Sequence, residues 1–291
     1  MKSKSEKKIA FFGSSHFSSI ILESLSEEFN IQFVVIKNIK SDISIVSNKL
    51  SLRTILFDTL DPENIKEVDF CIVASFGAII GRNFLNSNKF LNVHPSLLPK
   101  FRGATPIQSA IISGSKKTGV SIIKMNEKMD EGDILSQISI DMGDNINYLE
   151  LEEKLANSSI KPLTYSINNF ESIIPVKQDS SKATYCYISD FAREKIKINW
   201  NSNSDYIDRL VRSAYPAWCY FGESIVNIKS VSLTNRKSDK VGYIDSLNKD
   251  LLISSKDFFV KIEEIQKEGG RYITGREFKN GLSNSAILKF D

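Results

Sequence analysis

The chain of 291 residues lacks the cysteine pattern of a disulfide-bonded or zinc-binding protein. Its three cysteines, Cys71, Cys186 and Cys219, lie far apart, are odd in number and include no CxxC pair. This pattern argues against a disulfide framework or a metal site and fits a reducing compartment. No apolar run approaches the roughly 18 residues of a membrane-spanning helix, and the charged start is not followed by a signal-peptide core. We therefore expect a cytoplasmic protein with no metal and no membrane partner.

The chain also lacks a large excess of charge of either sign, since its formal net charge is only +3. From Phe191 onward there are 17 basic and 13 acidic residues, so the positive balance lies in the C-terminal third. A mildly basic surface can bind a polyanion, but it is equally the ordinary solvated surface of a soluble domain. Charge alone leaves both interpretations open.

The first part of the chain has the pattern of a doubly wound α/β domain. Short, continuous apolar runs are typical of parallel strands that are buried on both faces. They lie at Lys8–Gly13, Ile31–Lys37, Arg53–Phe57 and Asp69–Ser75. The segments 61–68 and 81–88 are expected to supply crossover helices. A long helix is expected over Asn147–Ile173, with a kink or break at Pro162.

A linker is expected within about 175–195, because the pattern changes there. One helix, Ser204–Ala214, is followed by short β-like pieces separated by turn residues. These pieces lie at 223–233, 240–247, 250–255 and 258–266. Several short strands at regular spacing predict a small β-barrel. The predicted fold class is thus α/β, with a Rossmann-like domain at 1–185 and an OB-like barrel domain at 195–291.

One of the two histidines, His94, lies at the end of the apolar run FLNVH, before a stiff segment rich in proline. Period-two alternation places Asn92 and His94 on the same face of this strand. Asn92 can donate a hydrogen bond to an oxyanion, and His94 can exchange a proton near neutral pH. The alternative is a histidine that only satisfies hydrogen bonds at a sheet edge. This stretch by itself leaves both interpretations open.

A second candidate group follows the apolar strand in TGVSIIKMNEKMDEGDIL, where Asp130 lies in an acidic loop that contains a glycine. A carboxylate that orients a histidine is a recurring catalytic device. The loop lacks the alternating ligand spacing of a calcium-binding EF-hand. The alternative interpretation is an ordinary acidic surface loop.

The stretches NVHPSLLPKFRGATPIQ and TGVSIIKMNEKMDEGDIL together resemble the folate-dependent formyltransferases. The resemblance extends from IAFFGSSHFSSIILESL near the start to EEIQKEGGRYITGREFKNG near the end, and it is strongest to members that act on methionyl-tRNA. It implies formyl transfer from 10-formyltetrahydrofolate to the amino group of methionyl-initiator-tRNA, for translation initiation. A monomer is expected.

The resemblance also implies site residues. Asn92, His94 and Asp130 match the catalytic positions of the family. Asn92 and His94 are expected to bind the oxyanion, while the sharing of proton transfer between His94 and Asp130 stays open. The folate site is implied at two segments, whose residues are Ser96, Leu97, Leu98, Pro99, Phe76, Gly77, Ala78, Ile79 and Ile80.

The residues predicted to bind tRNA are basic and lie in both predicted domains. They are Lys37, Lys40, Lys49, Arg102, Arg209 and Arg212. Members that act on tRNA carry a long basic loop with Gly and Pro after the second strand, whereas the corresponding KNIKSDISIVSNKLSLR has neither residue. Arg193, Lys195 and Lys197 add charge before the barrel. Two alternatives remain at this point: a sugar-nucleotide N-formyltransferase with the same donor, and a non-catalytic RNA-binding homologue.

Overall fold

The computed structural model describes residues 4–282 and 289–291 of the chain. It consists of two units whose chain segments alternate along the sequence. Unit 1 contains Met1–Pro106, Lys116–Met142 and Leu149–Cys186, and unit 2 contains Ile107–Ser115, Gly143–Tyr148 and Tyr187–Asp291. The predicted domains at 1–185 and 195–291 include residues 1–3 and 283–288, which lie outside the described residues, and their limits stay a prediction.

Unit 1 is built on a seven-stranded sheet and a separate pair of short strands. In chain order its strands are β1 (Lys8–Gly13), β2 (Asn30–Ile36), β3 (Thr54–Leu56), β4 (Phe70–Ala74), β5 (Phe90–His94), β6 (Arg102–Gly103), β7 (Lys117–Lys124), β8 (Asp133–Asp141) and β9 (Tyr185–Cys186). The sheet order is β3-β2-β1-β4-β5-β7-β8, in which the first five strands are parallel and β7 and β8 are antiparallel. The strands β6 and β9 form the separate parallel pair.

Both faces of the sheet are buried, as the continuous apolar runs predict. In β1, Ala10 and Phe12 join an apolar cluster on one face, while Ile9 and Phe11 on the other face are equally inaccessible to solvent. The first five helices of the chain are α1 (His16–Glu28), α2 (Asp42–Lys49), α3 (Arg82–Leu85), α4 (Pro106–Ile112) and α5 (Tyr148–Asn168). Short 3-10 turns occupy Phe57–Thr59, Pro62–Glu67 and Ser180–Lys182. Strands covered on both faces and connected through helices are the architecture of a doubly wound α/β domain.

The segments 61–68 and 81–88, which are expected to supply crossover helices, form only short helical turns. The first is the 3-10 turn Pro62–Glu67, which begins where the Asp61 side chain accepts a hydrogen bond from Glu63 N, and it buries only Ile65. The second is the single turn α3, which buries only Phe84. One buried apolar residue gives no amphipathic face, so neither segment is extended into a full helix.

Of the kink or break expected at Pro162, the break is wrong, because α5 continues through this residue to Asn168, while the kink stays a prediction. Pro162 is buried, and its carbonyl accepts hydrogen bonds from the hydroxyls of Ser136 at 3.0 Å and Ser166 at 2.8 Å. Packing and these hydrogen bonds offset the loss of one helical N–H donor.

Unit 2 contains a curled antiparallel sheet of five strands. These are β10 (Ala217–Phe221), β11 (Ser224–Lys237), β12 (Leu252–Ser254), β13 (Phe258–Lys267) and β14 (Ile273–Thr274). They are accompanied by the 3-10 turn Ile188–Phe191, α6 (Ser204–Ala214) and α7 (Gly275–Asn280). Trp200, Ile228, Ile262 and Phe278 belong to its buried core. The predicted fold class, a Rossmann-like domain followed by a small OB-like barrel, is confirmed.

The β-like piece predicted at 240–247 forms no strand of its own. Only single bridges occur, from Tyr243 to Lys289 and from Ile244 to Ile253. Gly242 has a φ of +83° and Asp245 Oδ1 accepts a hydrogen bond from Leu247 N, so the chain turns at both positions. Within the described residues, no helix is both long and apolar enough to cross a membrane.

Candidate active site

The three polar residues that the sequence singles out meet in unit 1. Asn92 and His94 lie on β5, and Asp130 lies in the loop between β7 and β8. Asn92 Nδ2 donates a hydrogen bond to Asp130 Oδ1 at 3.1 Å, and His94 Nδ1 lies 3.6 Å from the same oxygen. A separation of 38 residues along the chain thus becomes direct contact.

The Asp130 carboxylate is held on both sides. While Oδ1 faces Asn92 and His94, Oδ2 accepts a hydrogen bond from the backbone N–H of Gly103 at 2.8 Å. The Asp130 side chain is 11% exposed, so these contacts orient a largely buried charge. Because a carboxylate can only accept, the amide of Asn92 must turn its NH₂ group toward Asp130.

The hydrogen bonds of His94 define which ring nitrogen carries a proton. Nε2 lies 2.8 Å from the carbonyl oxygen of Phe101, which can only accept, so the proton is on Nε2. Nδ1 then faces Asp130 Oδ1 across 3.6 Å, longer than a hydrogen bond. A proton on Nδ1 would lie between the ring and the carboxylate. This nitrogen is therefore the position at which the pair can hold or move a proton.

A short two-stranded ribbon fixes the segment that contacts His94 and Asp130. Arg102 N donates to Thr184 O at 2.8 Å, and Ala104 N donates to Cys186 O at 3.0 Å, which is the pairing of β6 with β9. Gly103 has a φ of +118°, and a Cβ atom there would lie 2.1 Å from Cys186 O. Only glycine fits this position. The stretch 175–186, which the sequence pattern predicts as part of a linker, therefore belongs to the site.

The position of Arg102 bears on one sequence-based expectation. It is predicted to contact tRNA, but its side chain is only 1% exposed. Its Nε and Nη2 donate to Gln178 Oε1 at 3.0 and 2.9 Å, and Nη1 lies 3.1 Å from Glu131 Oε1. A buried guanidinium with these partners is not placed to meet a phosphate, which argues against this role; a contact of Arg102 with tRNA stays a prediction. The sequence shows Arg102 beside a glycine and two residues after Lys100, a pattern that does not distinguish a buried arginine from an exposed one.

The predicted folate segment at 76–80 follows β4. Phe76 is buried edge-on against Phe12, with ring centroids 5.5 Å apart, and Ile80 is buried as well. Gly77 has a φ of +68° and Ala78 is half-buried. Ile79 is 83% exposed, which is unusual for so apolar a side chain in a loop anchored on both sides.

The predicted folate segment at 96–99 follows β5. Ser96 and Leu98 are buried, and Leu97 and Pro99 are half-buried. Ser121 on β7 holds the segment, since its hydroxyl donates to Ser96 O at 2.7 Å and accepts from Leu98 N at 3.1 Å. The parallel pairing of β4 and β5 places both segments at the same edge of the sheet. The apolar side chains of Ile79, Leu97 and Pro99 fit an aromatic ligand such as a pterin; their role stays a prediction.

The lysines predicted to contact tRNA in unit 1 are all exposed. Lys37 Nζ donates to Gly77 O at 2.6 Å, and Lys49 forms an ion pair with Glu23 at 3.2 Å. Lys40 lies in the turn between β2 and α2. Lys37 therefore links the end of β2 to the predicted folate segment.

Arg209 and Arg212 in α6 are tied to partners inside unit 2. Arg209 pairs with Asp205, and its Nε donates to Ile112 O at 3.0 Å. Arg212 Nε donates to Asp208 Oδ2 at 2.9 Å, and its Nη1 donates to Ile146 O at 2.9 Å. Their side chains are 22% and 14% exposed. The expectation that these two arginines bind tRNA is not supported by this arrangement; instead they hold the segments Ile107–Ser115 and Gly143–Tyr148 on α6.

Comparison with known proteins gives matches along most of the chain. A family model described as "Formyl transferase" matches residues 26–164, and "Formyl transferase, C-terminal domain" matches residues 191–283. A methionyl-tRNA formyltransferase of Caldicellulosiruptor saccharolyticus is 33% identical over 94% of this chain and 96% of its own. The chain belongs to the formyltransferase family. A methionyl-tRNA formyltransferase of Ehrlichia canis is 38% identical over 72% of this chain and 75% of its own.

Two solved structures share the fold. HypX from Aquifex aeolicus in complex with tetrahydrofolic acid superposes with a TM-score of 0.70 at 16% identity, over 98% of this chain and 51% of its own. The sugar 3N-formyl transferase WlaRD superposes with a TM-score of 0.68 at 18% identity, over 92% of this chain and all of its own. At 16% and 18% identity this similarity shows a shared fold and no more. The resemblance inferred from the motifs is confirmed by the family match.

Proposed function

We propose that this formyltransferase moves the formyl group of 10-formyltetrahydrofolate to the amino group of methionyl-initiator-tRNA, the modification that prepares this tRNA for translation initiation. The observation that carries the proposal is the end-to-end similarity to methionyl-tRNA formyltransferases, which includes both the catalytic and the C-terminal part. The contact of Asn92, His94 and Asp130 supports it, because a non-catalytic homologue has no need to bring these groups together.

Asn92 is proposed to stabilise the oxygen of the formyl group. One of its two amide protons is donated to Asp130, and the second remains for an oxygen that gains negative charge. A donor aimed in this way contributes roughly 3–4 kcal/mol to transition-state stability. His94 is less exposed, and both ring nitrogens face protein oxygens. The geometry therefore favours Asn92 over His94 as the direct donor to this oxygen.

His94 and Asp130 are proposed to handle the proton of the attacking amine. An amine attacks as the neutral species and must lose a proton as the new C–N bond forms. The bond between the formyl carbon and N10 of the folate breaks, and the proton passes to N10, so that tetrahydrofolate leaves. The lone pair of His94 Nδ1 and the carboxylate of Asp130 are the two bases of the site, 3.6 Å apart. When bound, the folate donor supplies an activated formyl group, and the segments 76–80 and 96–99 would hold it beside these bases.

Contact with tRNA is proposed to involve basic residues of unit 2 that have aromatic neighbours, the exposed Arg193 and the half-buried Lys197. The Arg193 guanidinium lies 5.3 Å from the ring centroid of Trp218, and Lys197 Nζ lies 4.7 Å from that of Tyr220. Arg193 is 60% exposed, unlike Arg209. Cations and aromatic rings on one face match what RNA backbones and unstacked bases require.

The proposed working form is a monomer in the cytoplasm. All three cysteines are buried and none is in a disulfide, which fits a reducing compartment. Light scattering of the purified protein measures the oligomeric state directly, and a stable dimer would contradict the first part of this proposal.

One assay tests the activity. The protein is incubated with 10-formyltetrahydrofolate labelled in the formyl group and with either methionyl-initiator-tRNA or an amino-sugar nucleotide. Label on the methionyl-tRNA is the expected result. Efficient formylation of the amino sugar would instead identify a sugar-nucleotide N-formyltransferase. Binding of tRNA without formyl transfer would identify a non-catalytic homologue.

A further inference from the structure

Gln178 contacts the backbone of the Asp130 loop with one end of its amide and a buried arginine with the other. Its Nε2 donates to the carbonyl oxygens of Asp130 and Gly132, each at 2.7 Å. Its Oε1 accepts from Nε and Nη2 of Arg102. A guanidinium can only donate and a carbonyl can only accept, so the orientation of this amide is defined.

The Asp130 loop needs an external support. Asp130 has a φ of +53°, a left-handed conformation that is uncommon for a residue with a side chain. The neighbouring Lys128 and Met129 are exposed, and the backbone hydrogen bond that spans Asp130 within the loop, from Glu131 N to Lys128 O, is long, at 3.5 Å. The hydrogen bonds from Gln178 to the carbonyl oxygens of Asp130 and Gly132 are shorter, at 2.7 Å, and they hold the backbone at and after the left-handed Asp130.

The segment around Arg102 links Gln178 to both His94 and Asp130. Phe101, which precedes it, provides the carbonyl that accepts from His94 Nε2, and Gly103, which follows it, provides the N–H that binds Asp130. The Arg102 side chain reaches Gln178, and its Nη1 also lies 3.2 Å from the hydroxyl of Tyr185. One short segment thus contacts His94, Asp130 and the amide that holds the Asp130 loop.

We propose that Gln178 is a positioning residue for the transfer reaction, acting through Asp130, and this inference rests on the proposed function of the site. By fixing the carbonyls of Asp130 and Gly132 it keeps the carboxylate in contact with Asn92 and close to His94 Nδ1. A shift of the Asp130 backbone would separate the two bases that handle the amine proton. Misplacement by about 1 Å can lower turnover about 100-fold.

Two variants of Gln178 test the proposal, together with a matched control. Gln178→Glu keeps an acceptor for Arg102 but removes both donated hydrogen bonds, and Gln178→Ala removes the amide without adding charge. Asn88 offers the control, because its Nδ2 also donates to two backbone carbonyls in unit 1, those of Ile65 and Val68. Asn88→Asp removes the same number of donated bonds away from Asp130.

Formylation of methionyl-tRNA should separate the variants from the control. We expect kcat to fall about 10- to 100-fold in both Gln178 variants, with the KM values for 10-formyltetrahydrofolate and tRNA changed less than about threefold. Asn88→Asp should lower the melting temperature but leave kcat within about twofold of the wild type. Tyr185→Phe, a mild change at a half-exposed side chain, should lower kcat about two- to fivefold.

A second readout does not depend on the reaction. The chain has two histidines, His16 and His94, so their ring proton signals can be assigned in an NMR spectrum with a single His16→Gln variant. In both Gln178 variants the His94 signals should move while those of His16 stay in place. Unchanged His94 signals, or a loss of kcat no larger than that of Asn88→Asp, would overturn the inference. An inactive wild-type protein would contradict the proposed function, and the NMR comparison would still decide the role of Gln178.

Discussion

Oδ1 of Asp130 lies 3.6 Å from Nδ1 of His94, while the other ring nitrogen of His94 donates to the carbonyl of Phe101. The two contacts divide the work of the histidine: Nε2 holds the ring in place and Nδ1 faces the carboxylate. A base whose second nitrogen is already occupied can exchange a proton only at the side that faces Asp130. Proton transfer in the proposed reaction therefore depends on the pair and not on His94 alone.

Replacement of Asp130 by asparagine tests this dependence. Asp130→Asn keeps an oxygen that can accept from Gly103 N but removes the negative charge beside His94. We expect kcat for formylation of methionyl-tRNA to fall about 10²- to 10⁴-fold, the usual contribution of a positioned acid–base group. The hydrogen bond from Gly103 N is kept, but the NH₂ group of the new side chain faces the donor Asn92 Nδ2, so the melting temperature should also fall modestly. Turnover close to that of the wild type would remove Asp130 from the mechanism.

Gly103→Ala should damage both stability and turnover. The added Cβ would lie 2.1 Å from Cys186 O, so the pairing of β6 with β9 must open. We expect a loss of about 2–4 kcal/mol in the free energy of unfolding, measured in urea, together with a large fall in kcat. Gly143→Ala is the matched control, since a Cβ there meets nothing within 4 Å. Equal stability of the two alanine variants would show that the β6–β9 contact is not needed.

Arginines that bind tRNA and arginines that hold unit 2 together should differ in their response to salt. Arg193→Ala should raise the KM for tRNA and reduce the slope of binding against salt concentration by about one unit, as the loss of one phosphate contact requires. Arg209→Ala should leave that slope unchanged and lower the melting temperature, because Ile112 O loses its donor. If Arg209→Ala instead reduced the salt dependence of tRNA binding and Arg193→Ala did not, the sequence-based prediction that Arg209 binds tRNA would be supported.

The buried thiols should make stability fall in alkaline solution. Burial raises the pKa of Cys219 to about 12, and burial raises the pKa of Cys71 as well. An unfolded thiol loses its proton near pH 8.5, so between about pH 8.5 and pH 12 the unfolded chain ionises while the folded chain does not. The free energy of unfolding should therefore be lower at pH 10 than at pH 8. In Cys219→Ala the free energy of unfolding should fall less between pH 8 and pH 10. An equal fall in the wild type and the variant would show that Cys219 is not a source of this pH dependence.

Much of the fold and the central site is determined by the local sequence. Continuous apolar runs predict the strands β1 to β5, because strands covered on both faces have no polar side. Period-two alternation in FLNVH is enough to place Asn92 and His94 on one face of β5. The helix α6 and the strands β11 and β13 are predicted in the same way, by spacing within a single segment.

What the local pattern misses depends on partners that are distant in the chain. Pro162 predicts a break, yet packing and the hydroxyls of Ser136 and Ser166 keep α5 continuous. Arg102, Arg209 and Arg212 have the pattern of exposed positive charges, because composition does not reveal that each has an acceptor elsewhere in its unit.

Only the tertiary structure brings residues 175–186 into the site. By sequence this stretch is a polar connector, since no apolar periodicity marks it. In the fold, Thr184 and Cys186 pair with the segment beside Arg102, and Gln178 holds the Asp130 loop. The local sequence identifies the types of the reacting residues, because chemistry belongs to the side chain. It does not determine their placement, which depends on hydrogen bonds between segments that are distant in the chain, such as the bond between Arg102 and Tyr185, 83 residues apart.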